Sequence, residues 1–149
     1  DRVGSVPKTE VLELKKIKAS EVIASKLGLG KGEPVVYLYR RRFADNEPIV
    51  LQKTYLSCKK CGFILDCDFT KDSLYKSLAR TNQTKVVRVQ RIVEVDEATN
   101  EDAENLEIAM GKPIQSFTTT GFNVFGEVIE FSLARYRGDR SRFEVSANI

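Results

Sequence analysis

The sequence predicts an α+β domain, in which a mostly antiparallel sheet carries helices packed on it. Two segments, 35–57 and 114–137, each contain two runs of strand-forming residues joined by a short turn, as in a hairpin. A short helical segment and a turn containing glycine and proline precede each hairpin. Hairpins separated by short helices favour this class over a parallel sheet of alternating strands and helices.

Length and composition indicate a single domain that spans residues 1–149. Hydrophobic residues make up 42% of the chain, charged residues make up 30%, and the net charge is +3. This composition is typical of a globular domain, and so mild a charge gives little support for nucleic-acid binding by this domain. No apolar run approaches the roughly 18 residues of a membrane span, and no signal peptide is recognisable. We therefore expect a cytoplasmic protein without a membrane partner, and the start at Asp1 suggests a fragment or a processed chain.

The first predicted elements are a strand and a capped helix. Val11–Leu14 begins the strand. Ser20 is placed to cap a helix over Glu21–Leu27, because a serine side chain accepts a hydrogen bond from the first helical turn. Gly28 then ends the helix.

The first hairpin, 35–57, has two possible registers. A two-residue loop sets Arg40 opposite Leu51, whereas a three-residue loop at 45–47 sets Arg40 opposite Gln52. A shift of one residue moves every side chain of a strand to the other face. We predict the second register, because it keeps Leu51 on the face where a core can form.

The rest of the chain alternates helices with strands. After an irregular segment at 58–69, a helix begins near Asp72, which is the predicted cap, so that Ser73 lies in the first turn. The later elements are a half-exposed strand over 85–95, a helix over 99–108, the second hairpin with its turn at 126–127, and a last strand over 142–149.

The cysteines and the absence of histidine limit the possible chemistry. Cys58, Cys61 and Cys67 are an odd number of thiols, which favours the reduced state. A zinc site needs a fourth ligand, for which only Asp66, Asp68 or a more distant carboxylate is available, so we predict no metal and no cofactor. Without histidine, Ser-His-Asp and Cys-His catalysis are excluded, and we predict no catalytic residues.

Arg40 and Arg42 form the most distinctive pair of the first hairpin. Alternate residues of a strand face the same way, so the two guanidinium groups lie on one face, about 7 Å apart. Such a pair suits a phosphate or a carboxylate. A solvated strand face is the simpler explanation of the same pattern.

Other polar residues can be placed around this pair. Ser73 lies at a helix start, where free backbone N–H groups bind anions, although helix initiation alone also explains it. Glu130 and Tyr136 share a face of the returning strand in the second hairpin, and both can be ordinary surface residues. Together these groups are what a pocket needs for a molecule with an anionic end and a hydroxylated or amino-bearing end.

Three motifs occur in order along the chain: R-x-R-x-A-D-x-x-P at 40–48, S-L-Y at 73–75 and E-x5-Y-R-x-D-R at 130–140. Together with VIASKLGLGKGEP before the first motif, they resemble the effector-binding (UTRA) domain of GntR/HutC-type bacterial transcription regulators. The resemblance covers nearly the whole chain, from about Gly4. It implies a chorismate-lyase-like fold, a small anionic effector that is often a sugar phosphate, and homodimers formed through this domain. It also implies that DNA is bound by an N-terminal winged helix-turn-helix domain that this chain lacks.

The resemblance also assigns the effector-binding residues. The positions that hold the phosphate in this family are matched by Arg40, Arg42 and Ser73, with Thr9 beside them. The positions that contact the sugar end are matched by Tyr75, Glu130 and Tyr136. Gln52 matches a position where members that bind amino-sugar phosphates carry glutamate, which argues against a ligand with an amine.

The sequence leaves three functions open. The leading prediction is a ligand-sensing, dimerising domain, without enzymatic activity, that controls DNA binding by the missing domain. The first alternative is a chorismate-lyase-like enzyme, in which the arginines bind a dicarboxylate and Glu130 acts as acid or base. The second is a dimerisation module without a ligand, in which apolar side chains fill the space between the arginines and Glu130.

Overall fold

The computed structural model describes residues 6–140 and, beyond them, residues 142, 144 and 146. Within these residues the strands are β1 (Pro7–Lys18), β2 (Pro34–Ala44), β3 (Glu47–Ser57), β4 (Arg88–Glu97), β5 (Pro113–Phe122) and β6 (Val128–Arg137). The helices are α1 (Glu21–Leu27), α2 (Cys58–Cys61), a 3₁₀ helix (Gly62–Asp66), α3 (Leu74–Leu78) and α4 (Asn100–Leu106). Most of the predicted last strand, 142–149, lies outside the described residues.

The strands form one antiparallel sheet in the order β1-β2-β3-β6-β5-β4. The two hairpins, β2–β3 and β5–β6, meet where β3 pairs with β6, at the centre of the sheet. β1 and β4 are its two edges. The predicted class, an α+β domain with a mostly antiparallel sheet and packed helices, is confirmed.

The two faces of the sheet pack against different helices. On the front face, which carries Val36, Leu38 and Leu56, a core forms with α2, the 3₁₀ helix and α3. On the back face, which carries Tyr39 and Leu51, a second core forms with α4. A third cluster packs α1 against the back face. Because strand residues alternate, each strand contributes to both faces.

The predicted starts of two helices are confirmed. Ser20 caps α1 and accepts a hydrogen bond from a first-turn backbone N–H at 3.2 Å, and Gly28 ends the helix with a φ of 69°. Thr99 caps α4, and a reciprocal bond from its own N–H to Asp102 completes a capping box. Among the described helices, none is long and apolar enough to cross a membrane.

The predicted pairing of Arg40 with Gln52 is confirmed, but the loop that produces it is not the predicted one. The turn has two residues, Asp45 and Asn46, with φ values of 52° and 65°. Such a turn matches the twist of a hairpin and suits aspartate and asparagine. A β-bulge just beyond Arg42 then adds one residue on β3, which gives the register that we predicted from a longer loop.

Of the segment 58–69, which we predicted to be irregular, only 67–69 lie outside a helix. Residues 58–66 form α2 and the 3₁₀ helix, and Ser57 caps α2 by accepting a hydrogen bond from the Lys60 N–H. Cys61 and Ile64 are completely buried against the front face. Burial of these two side chains stabilises helical turns that the local sequence does not indicate.

Both edge strands differ from the prediction. β1 contains the predicted strand start at Val11–Leu14 but begins earlier, at Pro7. β4 corresponds to the predicted strand over 85–95, yet all ten of its residues are exposed rather than half of them. Among the described residues β5 is the only element that contacts β4 extensively, so neither face of β4 is covered as the faces of the central strands are.

Candidate functional site

The candidate site lies on the front face, across the central strands. Arg40 on β2 lies opposite Gln52 on β3, and Thr54 on β3 lies opposite Ser132 on β6. Glu130 is two residues from Ser132 on the same strand. Every second residue of a strand faces the same side, so these five side chains share one face.

A continuous chain of hydrogen bonds links Arg40 to Glu130 through Thr54 and Ser132. Arg40 Nη2 donates to Thr54 Oγ1 at 3.4 Å, and the Thr54 and Ser132 hydroxyls are 2.9 Å apart. Ser132 Oγ donates to Glu130 Oε2 at 2.8 Å, and the Tyr75 hydroxyl on α3 donates to Glu130 Oε1. Because Ser132 has one hydroxyl proton and gives it to Glu130, Thr54 must donate to Ser132. The chain therefore runs in one direction, from Arg40 to Glu130.

The charged ends of this chain are both buried. Arg40 is 8% exposed and Glu130 is 2% exposed. Burial and the nearby charge of Arg42 lower the pKa of Arg40 to about 10, while Glu130 opposes the shift. The Arg40 guanidinium thus remains charged at neutral pH, but its buried Nε has no hydrogen-bond partner among the described residues. A buried donor without a partner is costly, and an anion placed against it would offset that cost.

Tyr75 connects the carboxylate to a second guanidinium. Burial and the Glu130 charge raise the pKa of Tyr75, so its phenol remains a proton donor, and Arg91 opposes the shift through its charge and a hydrogen bond. Arg91 Nε also donates to Thr119 Oγ1 at 3.2 Å. Since Thr119 lies opposite Ser132, the polar cluster extends across five strands, from Arg40 on β2 to Arg91 on β4.

Gly121 leaves room for the carboxylate of the cluster. It lies opposite Glu130 in the β5–β6 pair. A Cβ atom at Gly121 would lie 2.8 Å from Glu130 Cγ and 3.0 Å from Oε1, both closer than normal contact. A larger residue here would therefore push Glu130 away from its hydrogen-bond partners.

The other predicted residues lie around the cluster. Arg42 is exposed on the same face as Arg40, and Thr9 on β1 lies opposite it. Tyr136 on β6 shares the front face, and its ring meets that of Phe117 edge to face, with 5.2 Å between centroids. The structure brings these residues to one face of the sheet, and their contact with a ligand stays a prediction.

Ser73 occupies a different position from the predicted one. It is itself the cap of α3, accepting a hydrogen bond from the Lys76 N–H at 3.4 Å, so the prediction that Asp72 caps this helix is wrong. Its hydroxyl is engaged in helix initiation, and α3 has only five residues. A role for Ser73 in anion binding stays a prediction.

Four polar residues of the cluster were not predicted: Thr54, Ser132, Thr119 and Arg91. Ser132 follows from strand alternation, because it lies two residues from Glu130. Thr54 follows in the same way from Gln52 on β3. The pairing of β3 with β6, which joins Thr54 to Ser132, has no local signal in the sequence.

Metal binding has no support in the described part of the chain. No group of three or more His, Cys, Asp or Glu side chains there is arranged to hold a metal ion. Cys58, Cys61 and Cys67 are free thiols. Burial raises the pKa of Cys61 to about 12, which leaves this thiol neutral and unreactive at physiological pH.

A cavity of about 370 Å³ lies elsewhere, beside the turn that joins α4 to β5. Arg137 and Asp139 are among its lining residues. The Arg137 guanidinium is already paired, with Glu47 at 3.1 Å and with Asp139 at 2.9 Å. Because its charge is satisfied, this cavity is a weaker candidate than the front-face cluster.

Comparison with known proteins places this α+β domain in one class, the effector domains of GntR-family transcription regulators. The model of the UTRA domain matches residues 2–142, and the chain therefore belongs to the UTRA domain family.

Two relatives of known name come from Bacillus subtilis (strain 168). The chain is 30% identical to the HTH-type transcriptional regulator GmuR over 142 residues, which are 89% of this chain and 60% of GmuR. It is 26% identical to the HTH-type transcriptional repressor NagR over 140 residues, which are 94% of this chain and 57% of NagR. The chain thus spans less than two thirds of the length of these relatives.

Solved structures share the fold at lower identity. The effector domain of PhnF from Mycobacterium smegmatis superposes with a TM-score of 0.90 at 21% identity, over 99% of this chain and 90% of that one. A GntR-family transcriptional regulator from Enterococcus faecalis V583 superposes with a TM-score of 0.85 at 24% identity, over 93% and 99%. These similarities show the fold of a UTRA domain.

Proposed function

We propose that this chain is the ligand-sensing domain of a transcription regulator, and that it binds a small anionic metabolite, a sugar phosphate or a related phosphorylated compound. The observation that carries this proposal is Arg40, a buried guanidinium whose Nε lacks a partner among the described residues. A ligand anion would supply charge-assisted hydrogen bonds that the protein itself does not provide. The domain then gains stability when the ligand binds.

The charges of the cluster favour a ligand with more than one negative charge. Arg40, Arg42 and Arg91 carry three positive charges on the front face, and Glu130 supplies one negative charge. A phosphate monoester carries about −1.5 to −2 at neutral pH, as phosphorylated side chains do. A phosphate therefore balances the remaining positive charge better than a single carboxylate does.

The other end of the ligand would meet hydroxyl groups and a carboxylate. Ser132, Tyr75 and Tyr136 offer hydroxyls, and Glu130 offers acceptor oxygens for the hydroxyls of a sugar. Gln52, next to Arg40, is neutral and provides no carboxylate for an amine. A hydroxylated ligand without an amine fits this arrangement best.

The two alternatives have weaker support. A dimerisation module without a ligand predicts apolar side chains between Arg40 and Glu130, but the buried hydroxyls of Thr54 and Ser132 occupy that space. The relatives GmuR and NagR are named as transcriptional regulators rather than as lyases, and this favours a sensor over an enzyme. Pyruvate release from chorismate by concentrated protein would support the enzyme instead.

The names of the relatives support a regulatory role. GmuR and NagR are named as transcription regulators of helix-turn-helix type. We place this domain in a longer cytoplasmic protein, as a homodimer whose N-terminal winged helix-turn-helix domains bind DNA. A coupling of about 1–3 kcal/mol between ligand and DNA would change operator affinity by roughly 5- to 150-fold.

Thermal denaturation of the 149-residue chain tests the proposal. The probes are glucose 6-phosphate, glucosamine 6-phosphate, fructose 6-phosphate and inorganic phosphate, with glucose as the uncharged control. A probe at 100 times its dissociation constant adds about 2.7 kcal/mol to the free energy of unfolding, and Tm rises accordingly. A response to none of the phosphorylated probes would count against the proposed ligand class.

Two variants connect the response to the site. Arg40→Ala with Arg42→Ala should abolish the rise in Tm without unfolding the chain. Arg80→Ala is the matched control, because Arg80 is an exposed arginine that lies over the Phe63 ring and makes none of the hydrogen bonds of the cluster. An unchanged response in the double variant would remove the two arginines from the binding site.

A further inference from the structure

A row of hydroxyl groups crosses the middle of the front face. Thr54 on β3, Ser132 on β6 and Thr119 on β5 are direct neighbours in the sheet, because Ser132 pairs with Thr54 on one side and with Thr119 on the other. All three residues are buried. Neighbouring strands lie about 4.8 Å apart, so the row is about 10 Å long.

An arginine lies at each end of this row. Arg40 Nη2 donates to Thr54 Oγ1 at 3.4 Å, and Arg91 Nε donates to Thr119 Oγ1 at 3.2 Å. Arg42, two residues from Arg40 on the same strand, faces the same side. One end of the row thus carries two guanidinium groups, and the other end carries one.

The arginines at the two ends lack the partners that the other strand arginines have. Four of the seven arginines in the strands pair with a carboxylate or lie over an aromatic ring: Arg41, Arg88, Arg135 and Arg137. Arg40, Arg42 and Arg91 have neither kind of partner among the described residues. The arginines whose charge the described chain leaves unpaired are therefore all on the face that carries the candidate site.

Arg91 is held in place although it is exposed. Its Nε donates to Thr119, and the Tyr75 oxygen accepts a second hydrogen bond from its guanidinium. Fixing a long side chain costs conformational entropy, and both acceptors are neutral hydroxyls. A guanidinium has five N–H donors, more than these two hydroxyls use. The side chain is thus oriented along the row, and its charge is available to a ligand.

The end of the site that α3 and β4 form is also the most basic part of the chain. Residues 71–91 contain six lysines and arginines against the single acid Asp72, a net charge of +5, whereas the whole chain carries +3. The six basic side chains are all exposed: Lys71, Lys76, Arg80, Lys85, Arg88 and Arg91. Such a concentration of one sign attracts anions and outweighs the charge of Glu130. A second negative charge on the ligand is therefore favourable at this end.

We propose that the ligand carries a negatively charged group at each end, of which one is bound by Arg40 and Arg42 and the other by Arg91. The second anion site rests on the proposed function, because it belongs to the same ligand. The hydroxyl row between the arginines suits a hydroxylated carbon chain, and its length is comparable to that of a six-carbon sugar. The ligand class is thus a six-carbon sugar derivative with a phosphate at one end and a carboxylate or a second phosphate at the other.

Isothermal titration calorimetry of the 149-residue chain tests the second charge with two matched pairs of compounds. 6-Phosphogluconate is compared with glucitol 6-phosphate, which has a hydroxyl in place of the carboxylate. Fructose 1,6-bisphosphate is compared with fructose 6-phosphate. In at least one pair, the doubly charged compound should bind about tenfold more tightly or better, because a charge-assisted hydrogen bond to Arg91 is gained. The pair that shows the preference identifies the second group as a carboxylate or a phosphate.

Variants of β4 connect the preference to one side chain. Arg91→Gln should bring the ratio of the two affinities in that pair to about one, and Arg91→Lys should restore part of it because the charge returns. Arg88→Gln is the matched control, since Arg88 is an exposed arginine of the same strand that lies over the Phe122 ring on the back face. It removes the same charge from the chain and should change the ratio by less than about twofold, because salt screens a distant exposed charge.

Three results would count against a second anion site. Equal affinities within both pairs, with the monophosphates bound, would overturn it and leave the proposed function intact. A preference that survives Arg91→Gln, or one that Arg88→Gln abolishes equally, would show that the second charge is not bound by Arg91. Absence of binding by all four phosphorylated compounds would reject the proposed ligand class and the second anion site together.

Discussion

Arg40 and Arg135 are arginines on opposite faces of the same sheet, and their environments differ sharply. On the back face, Arg135 Nε donates to both Asp102 oxygens at 3.0 Å, Nη1 donates to Asp96 at 3.0 Å, and Nη2 donates to the Glu97 carbonyl at 3.2 Å. On the front face, Arg40 has a single bond within the described part of the chain, of 3.4 Å to the neutral Thr54 hydroxyl. One guanidinium is saturated by the protein, and the other is not.

The pKa shifts follow the same division. Burial lowers the pKa of Arg135, but Asp102 and Asp96 more than compensate, and the net shift is upward. Burial lowers the pKa of Arg40, Arg42 lowers it further, and Glu130 does not restore it. Arg135 is thus paired with carboxylates of the chain itself, whereas Arg40 keeps a buried Nε donor that an anionic ligand would pair with under the proposed function.

The largest effect should come from breaking the saturated pair. Asp102→Ala leaves Arg135 without its main partner and also removes the capping box of α4. We expect a loss of about 3–5 kcal/mol in the free energy of unfolding, measured by urea denaturation. Glu104→Ala, at an exposed position of the same helix, is the control and should change it by less than about 0.5 kcal/mol.

Arg40→Met is the matched change on the front face. Replacing an underpaired buried charge with an apolar side chain is often neutral or stabilising. We therefore expect the free energy of unfolding to change by less than about 1 kcal/mol. The phosphate-dependent rise in Tm should disappear at the same time. If this variant instead loses as much stability as Asp102→Ala, then Arg40 is a structural ion and the contrast between the two faces fails.

After Asp102→Ala, Gly121→Ala should cause the second largest loss in the free energy of unfolding. The added Cβ would lie 2.8 Å from Glu130 Cγ, and overpacking of this kind costs about 1–3 kcal/mol. Gly30→Ala is the control, because the nearest atom to its Cβ, Glu33 Cγ, is 3.9 Å away. Equal Tm values for the two variants would show that Glu130 moves aside without cost.

A smaller loss of stability is expected when either of two tyrosines that donate to carboxylates on opposite faces of the sheet is changed to phenylalanine. Tyr75→Phe removes a bond to the buried Glu130, and we expect the free energy of unfolding to fall by about 0.5–1.5 kcal/mol. Tyr39→Phe removes a bond of 2.8 Å to the exposed Glu101, which keeps Lys53 at 2.9 Å, so the loss should be smaller. Urea denaturation of both variants gives the comparison, and the reverse order would contradict it.

The sheet was predictable from local patterns, but the details of its turns were not. Alternating residues gave the two hairpins correctly, and the predicted Ser20 cap gave the start of α1. The register of the first hairpin depends only on the total number of residues between its paired strands. A two-residue turn with a bulge and a three-residue loop both place Arg40 opposite Gln52, so the sequence pattern does not distinguish them.

The charged ends of the candidate site were predictable from local sequence patterns, whereas the polar residues between them were not. Arg40 and Glu130 belong to recognisable motifs of charged residues. The hydroxyls of Thr54 and Ser132 become a chain only because β3 pairs with β6, which joins residues 78 positions apart. Arg91 joins the cluster through Tyr75 on a separate helix, a contact that depends on tertiary packing alone.

The smallest loss of stability is expected from changing Glu47, a partly exposed carboxylate that pairs with Arg137 and Arg140. Glu47 accepts hydrogen bonds from Arg140 Nε at 3.0 and 3.2 Å and from Arg137 Nη1 at 3.1 Å. The Arg140 bonds are the main cause of a lowered pKa for Glu47. The unfolded chain therefore binds this proton at higher pH, and the contribution of Glu47 to stability is lost as pH falls through its folded pKa.

Glu47→Gln should lower Tm slightly at neutral pH, and the gap to the parent chain should close as pH falls below the ordinary pKa of about 4.5. Tm measured for both chains from about pH 7 to pH 3 gives this difference directly. A salt concentration of about 1 M should also narrow the gap at pH 7, because exposed charges are screened whereas Arg135 and Asp102 are screened much less. A gap that persists unchanged to the lowest pH would show that the loss comes from packing rather than from charge.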